Sequence, residues 1–271
     1  MNILIGTGNK HKFQEISIIM KDMKDMNLVY ADNIFGITDI IEDGKTYQEN
    51  ALIKAEAYYN LLLNKGYLNS NRNLNFDKKN KINNNHSSIN NQENINIDYI
   101  VAEDTGLEVK CLNNEPGLYT ARYSKINNIN NFKDINNINN YYENKNNDEK
   151  EAAVNFKNSN ANNANIDIDN IDKLLNNMKY KKDCSQDREA RFTCWACVYS
   201  VSNKEYKFFH GELNGFITET LAGTEGFGYD PVFYASEFSK TLAELGEEIK
   251  NKISHRAKAF KKVIDFISSK S

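Results

Sequence analysis

Short apolar runs alternate along this chain with stretches in which apolar residues recur every three or four positions. The runs Asn2–Gly6 and Asn27–Tyr30 each predict a strand. Between them, Phe13, Ile16 and Met20 recur at the spacing of one buried helix face. We therefore expect a strand, a helix and a second strand at the start of the chain.

Further helices are predicted downstream. Residues Thr46 to Glu49 match a capping box, so we expect a helix from there to a stop near Gly66, with Glu49 as a capping residue. Apolar residues recur at helical spacing over 168–178 and again after Ser254. Serine suits a helix N-cap, so the last helix is expected to begin directly after it.

Residues 100–109 join an apolar run to two adjacent carboxylates. Ile100–Ala102 predict a buried strand, and Thr105–Gly106 predict the turn that ends it. Glu103 and Asp104 follow the run, and two adjacent negative charges repel unless a cation, a basic group or water relieves them. This position suits a divalent metal or a general base. The alternative is that Asp104 caps the turn and Glu103 points to water.

Two asparagine-rich tracts interrupt these patterns, at about residues 69–97 and 125–165. They hold few well-spaced apolar residues, so burial cannot offset the entropy cost of ordering them. We expect both tracts to be disordered or loosely packed insertions. Apart from them, residues 1–271 predict a single domain of ordinary size.

Charge and the N-terminal sequence exclude several classes of protein. The net charge is −3, so the chain lacks the broad positive field that binds a nucleic acid polymer. The N-terminus has no basic segment followed by a long apolar one, and no stretch approaches the length of a membrane span. We therefore expect a soluble, cytoplasmic protein with no membrane partner.

Two of the four cysteines, Cys194 and Cys197, have the spacing of a redox or zinc motif. Residues 191–201 read as one continuous strand, paired with 205–219, and positions three apart on a strand face opposite sides of the sheet. One metal ion could not bind both sulfurs. We expect buried, reduced thiols, which agrees with a cytoplasmic protein.

The turn between the first strand and the first helix is a candidate phosphate site. A helix N-terminus presents unpaired backbone N–H groups, and lysines lie beside this one. The turn comprises Thr7, Gly8, Asn9, Lys10, His11 and Lys12. It contains neither GxxxxGK nor GxGxxG, and the alternative is an ordinary turn with solvated lysines.

Four charged residues elsewhere are also candidates. Glu42 lies in an acidic loop, where it could face a metal or water, and Lys54 lies on the following helix, where it could reach a phosphate or be a surface charge. His255 and Arg256 fall in the first turn of the last helix. Cations there oppose the helix macrodipole, which suggests an anionic or acceptor-rich partner.

The glycine-rich loop 223–232 presents Phe227, Tyr229 and Asp230. Glycines let the backbone approach a ligand closely, and an aromatic side chain in such a loop can stack on a base. The alternative is a plain flexible loop.

Five segments carry a family resemblance. They are Thr7-Gly-Asn-x-x-Lys12, Ala102-Glu-Asp-Thr-Gly-Leu-Glu-Val109, Pro116-Gly-x-Tyr-x-Ala-Arg-Tyr123, Gly226-Phe-Gly-Tyr-Asp-Pro231 and Ile253-Ser-His-Arg256. In this order they resemble the inosine triphosphate pyrophosphatase family, the Ham1-like or non-canonical purine NTP pyrophosphatases. The match runs from the first strand to the last helix, interrupted only by the two asparagine-rich tracts. The resemblance implies an elongated, two-lobed α/β fold, a mixed sheet flanked by helices with the nucleotide in a cleft between the lobes, and a homodimer.

The resemblance also implies an activity, the hydrolysis of ITP, XTP and their deoxy forms to the monophosphate and pyrophosphate, with Mg2+ required. Asp104 would be the general base and a metal-linked carboxylate, activating water for attack at the α-phosphorus. Thr7 to Lys12, Lys54 and Lys250 would contact phosphates, and Thr105 would lie beside the metal. Phe227, Gly228, Tyr229, Asp230, His255 and Arg256 would form the base pocket.

This chain departs from the family at one metal position. The family commonly has two acidic residues shortly before the glycine that corresponds to Gly44, and here the pair is Ile41 and Glu42. Glu42 is therefore the expected second metal carboxylate, with Glu103 as the alternative. Thr105 replaces a frequent serine and keeps the hydroxyl.

Two other classes of protein compete with this interpretation. A Maf-type pyrophosphatase would also join a metal carboxylate to a phosphate loop, but it should lack the Ser-His-Arg helix start and the Phe-Gly-Tyr-Asp loop. A non-catalytic nucleotide sensor or scaffold would keep the fold without turnover. Asp104, Lys12 and Lys250 argue against that second class.

Overall fold

A computed structural model describes residues 1–23, 25–68, 96–126 and 164–270. The strands in these ranges are β1 (Asn2–Gly6), β2 (Asn27–Tyr30), β3 (Tyr99–Val109), β4 (Glu115–Gly117), β5 (Glu189–Ser200), β6 (Tyr206–Ile217), β7 (Phe233–Ala235) and β8 (Lys240–Thr241). The helices are α1 (Lys10–Ile19), α2 (Ala31–Phe35), α3 (Tyr47–Asn64), α4 (Ala164–Tyr180), α5 (Leu242–Ile253) and α6 (His255–Ser268).

The strands form one mixed sheet, in the order β2-β1-β3-β5-β6-β7-β8, with β4 paired to β3. β1 is parallel to β2 and to β3, whereas β4 is antiparallel to β3 and β7 is antiparallel to both β6 and β8. The predicted α/β class with a mixed sheet flanked by helices is confirmed.

The chain divides into two compact units. Unit 1 comprises Met1–Asp104, Trp195–Phe209 and Phe260–Ser271, and unit 2 comprises Thr105–Cys194 and His210–Ala259. Each unit has its own cluster of buried apolar residues.

The core of unit 1 lies between α3 and the parallel strands. Leu4 of β1 and Ala102 of β3 pack in one cluster with Ala55 and Tyr58 of α3. A side chain at Gly6 would come within 2.6 Å of the Tyr58 ring, so the glycine allows α3 to approach β1. This packing brings the start of α3 close to the end of β3.

The core of unit 2 lies between α4 and the sheet. Ile171, Leu174 and Met178 recur on one face of α4 and are buried. They pack in one cluster with apolar residues of β3, β5, β6 and β7, which include Leu107, Val109, Phe192, Ile217 and Phe233.

The predicted strands at 2–6 and 27–30 and the predicted helices over 168–178 and after Ser254 are confirmed. α3 also begins as expected, with Thr46 as its N-cap, whose side chain accepts a hydrogen bond from the Glu49 backbone. Only half of the capping box forms, because the Glu49 carboxylate accepts from the backbone N–H of Lys45 instead.

The expected break at Thr105–Gly106 is wrong. β3 continues through both residues to Val109, because β4 pairs with it at Leu107, Glu108 and Val109. Asp104 therefore lies within a strand rather than at a turn.

The cysteines divide into two pairs. Cys194 and Cys197 are buried and take part in no disulfide, as predicted. Cys111 and Cys184 form a disulfide across a sequence separation of 73 residues. Their spacing in the sequence gives no signal for this pairing, because packing brings the two ends of the loop together.

Apart from their ends, the two asparagine-rich tracts lie outside the described residues, so their expected disorder stays a prediction. Within the residues that the structure describes, no helix has both the length and the apolar character needed to cross a membrane.

Candidate active site

Asp104 is a buried carboxylate that is held from α3. The side-chain amide of Asn50 donates a 3.0 Å hydrogen bond to Asp104 Oδ2, and Lys54 Nζ lies 3.6 Å from Asp104 Oδ1. Lys54 Nζ also donates to Glu42 Oε2 at 2.7 Å, so one ammonium group lies between two carboxylates. Asn50 accepts from the Gly44 N–H at 2.9 Å, which fixes its amide and the loop beside Glu42.

Glu103 pairs with a different lysine from the one beside Asp104. Its Oε1 lies 2.8 Å from Lys12 Nζ, and the Glu103 side chain is only 1% exposed. Successive side chains of a strand point to opposite faces, so Glu103 meets a lysine of α1 while Asp104 meets a lysine of α3. The repulsion expected between two adjacent carboxylates is thus relieved separately on each face.

Burial is the main influence on the acidity of Asp104. It raises the pKa of this carboxyl, and the negative charge of Glu42 acts in the same direction. The charges of Lys54 and Lys12 and the hydrogen bond from Asn50 lower the pKa and so limit the rise. A carboxylate with a raised pKa is a better proton acceptor than an exposed aspartate.

The turn before α1 forms as predicted, but Asn9 already occupies two of its backbone amides. Asn9 is the N-cap, and its side chain accepts from the N–H groups of His11 and Lys12. The expectation that these amides are unpaired is therefore wrong. Gly8 and Lys10 are exposed at the same helix end, and Thr7 is buried, with its hydroxyl accepting from the Asn9 N–H.

In unit 2, the loop that carries Phe227 is held by Asp230. Asp230 Oδ2 accepts from the Phe227 N–H at 2.9 Å and from Lys250 Nζ at 2.5 Å. Asp230 and Lys250 are both buried, and Lys250 Nζ lies 4.3 Å from the centroid of the Phe227 ring. Sequence motifs 20 residues apart thus form one buried ion pair.

The first turn of α6 is buried as well. Ser254 caps the helix by accepting from the Ala257 N–H. His255 and Arg256 are 3% and 1% exposed, so these side chains are enclosed by protein rather than solvated. Arg256 Nη2 donates to Thr105 Oγ1 at 3.4 Å, and its guanidinium carbon lies 5.9 Å from the Phe227 ring centroid.

Two residues of the sheet support this turn. The Phe192 ring of β5 stacks on the His255 imidazole, with centroids 4.7 Å apart and planes 15° apart. Gly211 of β6 lies directly against α6, where a Cβ would overlap the backbone of His255 and Ala259. The orientation of the His255–Arg256 turn therefore depends on the sheet beneath it.

The donor set suits a magnesium ion in part. Among the described residues, no group of three or more His, Cys, Asp and Glu side chains is placed to hold a metal. Magnesium, however, is usually bound by one or two carboxylates and completed by substrate phosphates and water. Asp104 and Glu42 offer two carboxylates of this kind around one ammonium group.

Comparison with known proteins assigns the family. Residues 3–159 and 155–266 match a model of the Ham1 family. The chain belongs to the Ham1 family. The family predicted from the five motifs is thus confirmed.

Ham1 relatives match almost the whole chain. This chain is 32% identical over 264 residues to the dITP/XTP pyrophosphatase of Clostridium perfringens, and the match covers 97% of this chain and 95% of that protein. It is also 32% identical over 261 residues to the dITP/XTP pyrophosphatase of Listeria innocua, covering 96% and 92%. The Staphylococcus aureus Ham1 protein matches the fold with a TM-score of 0.63 at 27% identity, with 100% of both chains covered.

The predicted site residues of this Ham1 chain fall into two groups. Unit 1 holds the Thr7–Lys12 turn with Glu42, Lys54 and Asp104, and unit 2 holds Thr105, the residues of the Phe227 loop, Lys250, His255 and Arg256.

Sequence reasoning missed two residues, Asn50 and Phe192. Asn50 is four residues before Lys54 on α3, so the two share a helix face, which was the available signal. The stacking of Phe192 on His255 depends on tertiary packing and left no signal in the sequence.

Proposed function

We propose that this protein hydrolyses the non-canonical purine nucleoside triphosphates ITP, dITP and XTP to the monophosphate and pyrophosphate. The dITP/XTP pyrophosphatases that match it over nearly their whole length support this proposal. The observation that carries it is the buried Asp104 carboxylate, held by Asn50 and flanked by Lys54. A buried carboxylate oriented in this way suits a general base.

In this proposal Asp104 accepts a proton from the attacking water. The water oxygen bonds to the α-phosphorus while the bond to the bridging oxygen breaks, and pyrophosphate leaves. Asn50 orients the Asp104 carboxylate throughout. Lys54 offsets the negative charges of Asp104 and Glu42, and its own charge limits the rise in the pKa of Asp104.

We assign the phosphate contacts of unit 1 to Lys12, Lys54 and the exposed end of α1. Gly8 and Lys10 are exposed there, and the helix macrodipole favours an anion at this end. The Lys12 side chain is 20% exposed although it pairs with Glu103, and we include it among the phosphate contacts because it lies in the first turn of α1.

Magnesium belongs to the same proposal. Asp104 and Glu42 would hold it, because both supply carboxylate oxygens beside Lys54. Glu103 is the weaker candidate, because its carboxylate meets Lys12 on the other face of β3. When bound, the ion supplies positive charge that offsets the negative charge of the triphosphate.

We assign base recognition to unit 2. The Phe227 ring would stack on the purine, and donors from the His255–Arg256 turn would bind a 6-keto oxygen. In ATP a 6-amino group would meet these donors and leave buried polar groups unpaired. A site that depends on such a hydrogen bond can discriminate by about 10⁴-fold or more.

A substrate panel tests the proposal. We would measure the release of pyrophosphate and of phosphate from ITP, dITP, XTP, GTP and ATP, with and without Mg2+. The expected result is magnesium-dependent pyrophosphate release, with kcat/KM for ITP at least about 10²-fold above that for ATP. Equal rates with ITP and ATP would contradict the assignment of base recognition. Release of phosphate in place of pyrophosphate would exclude the proposed reaction. Nucleotide binding without turnover would favour a non-catalytic sensor.

The proposal includes a homodimer, as the family resemblance implies, and a cytoplasmic location. Light scattering of the purified chain should then give twice the chain mass of 31.1 kDa. A mass of one chain would exclude the dimer.

A further inference from the structure

The loop that carries Phe227 depends on hydrogen bonds for its conformation. Gly226 and Gly228, on either side of Phe227, have positive φ angles of 81° and 63°. Glycine at such positions leaves many conformations open to the free chain, so the loop loses much entropy when it is ordered. Contacts that fix the backbone here decide where the Phe227 ring lies.

One of these contacts comes from a helix far away in the sequence. Asp230 holds the Phe227 N–H from within the loop. The next amide, that of Gly228, donates a 2.9 Å hydrogen bond to Oδ2 of Asp167, in the first turn of α4 and 61 residues away in the sequence. Asp167 therefore fixes the Phe227 loop through a hydrogen bond, although it lies outside that loop.

Other polar residues of α4 fix the helix that carries Asp167. Asn170 accepts from the Ser124 N–H at 2.7 Å, and Lys173 Nζ donates to the carbonyls of Tyr123 and Ile126. Both residues lie on the side of α4 that meets the short helical segment at 120–125. α4 is thus held in place by contacts that do not involve Asp167.

The loop and the same segment are also joined directly. The Tyr229 hydroxyl donates to the Thr120 carbonyl at 3.1 Å. The two residues that follow Phe227 are therefore bonded to different neighbours, Gly228 to α4 and Tyr229 to the segment at 120–125. Of these two bonds, only the one to Asp167 uses a charged acceptor, which makes it the stronger.

We propose that Asp167 is a positioning residue for the purine base, because its carboxylate holds the Gly228 amide and so orders the loop that presents Phe227. The inference rests on the proposed function, in which Phe227 stacks on the base. Asp167 takes no part in the proton transfer, so its loss should weaken nucleotide binding rather than slow the chemistry.

The test compares Asp167→Ala with Asp167→Asn and with Asp169→Ala. Asparagine keeps an oxygen that can accept from Gly228, whereas alanine removes the acceptor. Asp169 is an exposed acidic residue on the same helix, so its loss controls for the change of charge near the start of α4. Two readouts are needed, amide hydrogen exchange of the peptide at 226–230 without nucleotide, and steady-state kinetics with dITP.

In Asp167→Ala we expect exchange in this peptide to become about tenfold faster and KM for dITP to rise about tenfold, with kcat within about threefold of wild type. Asp167→Asn should recover most of both effects, and Asp169→Ala should match wild type. Unchanged exchange in Asp167→Ala, a loss of kcat at constant KM, or an equal effect of Asp169→Ala would overturn the assignment.

The two readouts separate this inference from the proposed function. If wild-type protein hydrolyses no nucleotide, the proposed function fails and the kinetic role of Asp167 fails with it. Hydrogen exchange would still show whether Asp167 orders the loop. If wild-type protein is active and Asp167→Ala keeps its KM and its exchange rate, only the inference fails.

Discussion

Asp104 and Asn50 differ in how readily the sequence identifies them. An apolar run that ends in two carboxylates is visible in the order of residues, so Asp104 could be singled out before the structure was known. Asn50 lies just after a capping signal that Thr46 and Glu49 already explain. Its role appears only in the structure, where α3 packs on β3 and Asn50 becomes the donor to a buried carboxylate.

Replacing Asn50 by alanine should therefore impair catalysis. Asp104 would lose its oriented donor, and hydrogen bonds to charged groups are worth about 1.5–3 kcal/mol, so we expect kcat/KM for dITP to fall about 10- to 100-fold. Asn60→Ala, an exposed asparagine on the same helix, is the matched control and should keep full activity. Full activity in Asn50→Ala would show that Asp104 needs no support from the Asn50 amide.

Helices and strands with a regular pattern of apolar residues could be predicted from the sequence. Those in which a glycine breaks the pattern could not. β6 follows from its alternating residues, and α6 follows from its serine cap. α5 was missed, because Gly246, with a φ of 78°, interrupts the helix. The continuation of β3 through Gly106 was also missed, because a Thr-Gly pair usually indicates a turn and the pairing with β4 outweighs that preference.

The contact between β6 and α6 gives a prediction at this scale. A Cβ in Gly211→Ala would overlap the start of α6, so we expect a loss of stability of about 1–3 kcal/mol. Because the displaced turn carries His255 and Arg256, the ratio of kcat/KM for ITP to that for ATP should also fall.

Thermal unfolding and the ITP to ATP ratio, measured on the same preparation, check this prediction. Asn214→Ala, at an exposed position of the same strand, is the control and should change neither quantity. A destabilised Gly211→Ala that kept the wild-type ratio would confine this glycine to a purely structural role.

At the scale of the whole molecule, the five motifs predicted the family, and the two buried clusters could be expected only in outline. The Cys111–Cys184 disulfide could not be expected, because 73 residues separate the two cysteines and the second asparagine-rich tract lies between them. The two cysteines lie in short 3-10 helical turns, Lys110–Leu112 and Lys182–Ser185, and both are buried in the core of unit 2.

Reducing this disulfide should destabilise the protein. A cross-link that closes a long loop typically contributes about 2–4 kcal/mol, so reductant should lower the Tm by about 5–15 °C. The measurement is thermal unfolding with and without reductant, with the cross-linked peptides identified by mass spectrometry of an unreduced digest. A Cys111→Ser variant should unfold at the lower temperature both with and without reductant. A wild-type Tm that is the same with and without reductant would contradict the prediction.

The central claim is that Asp104 activates a water molecule for attack at the α-phosphorus. The most direct test is the hydrolysis of dITP in water enriched in the heavy oxygen isotope, by the wild-type protein and by Asp104→Asn. The expected result is heavy oxygen in the monophosphate with none in pyrophosphate, and a rate about 10²- to 10⁴-fold lower in the variant, which should still unfold cooperatively. Heavy oxygen in pyrophosphate or in free phosphate, or a variant as active as wild type, would contradict the claim.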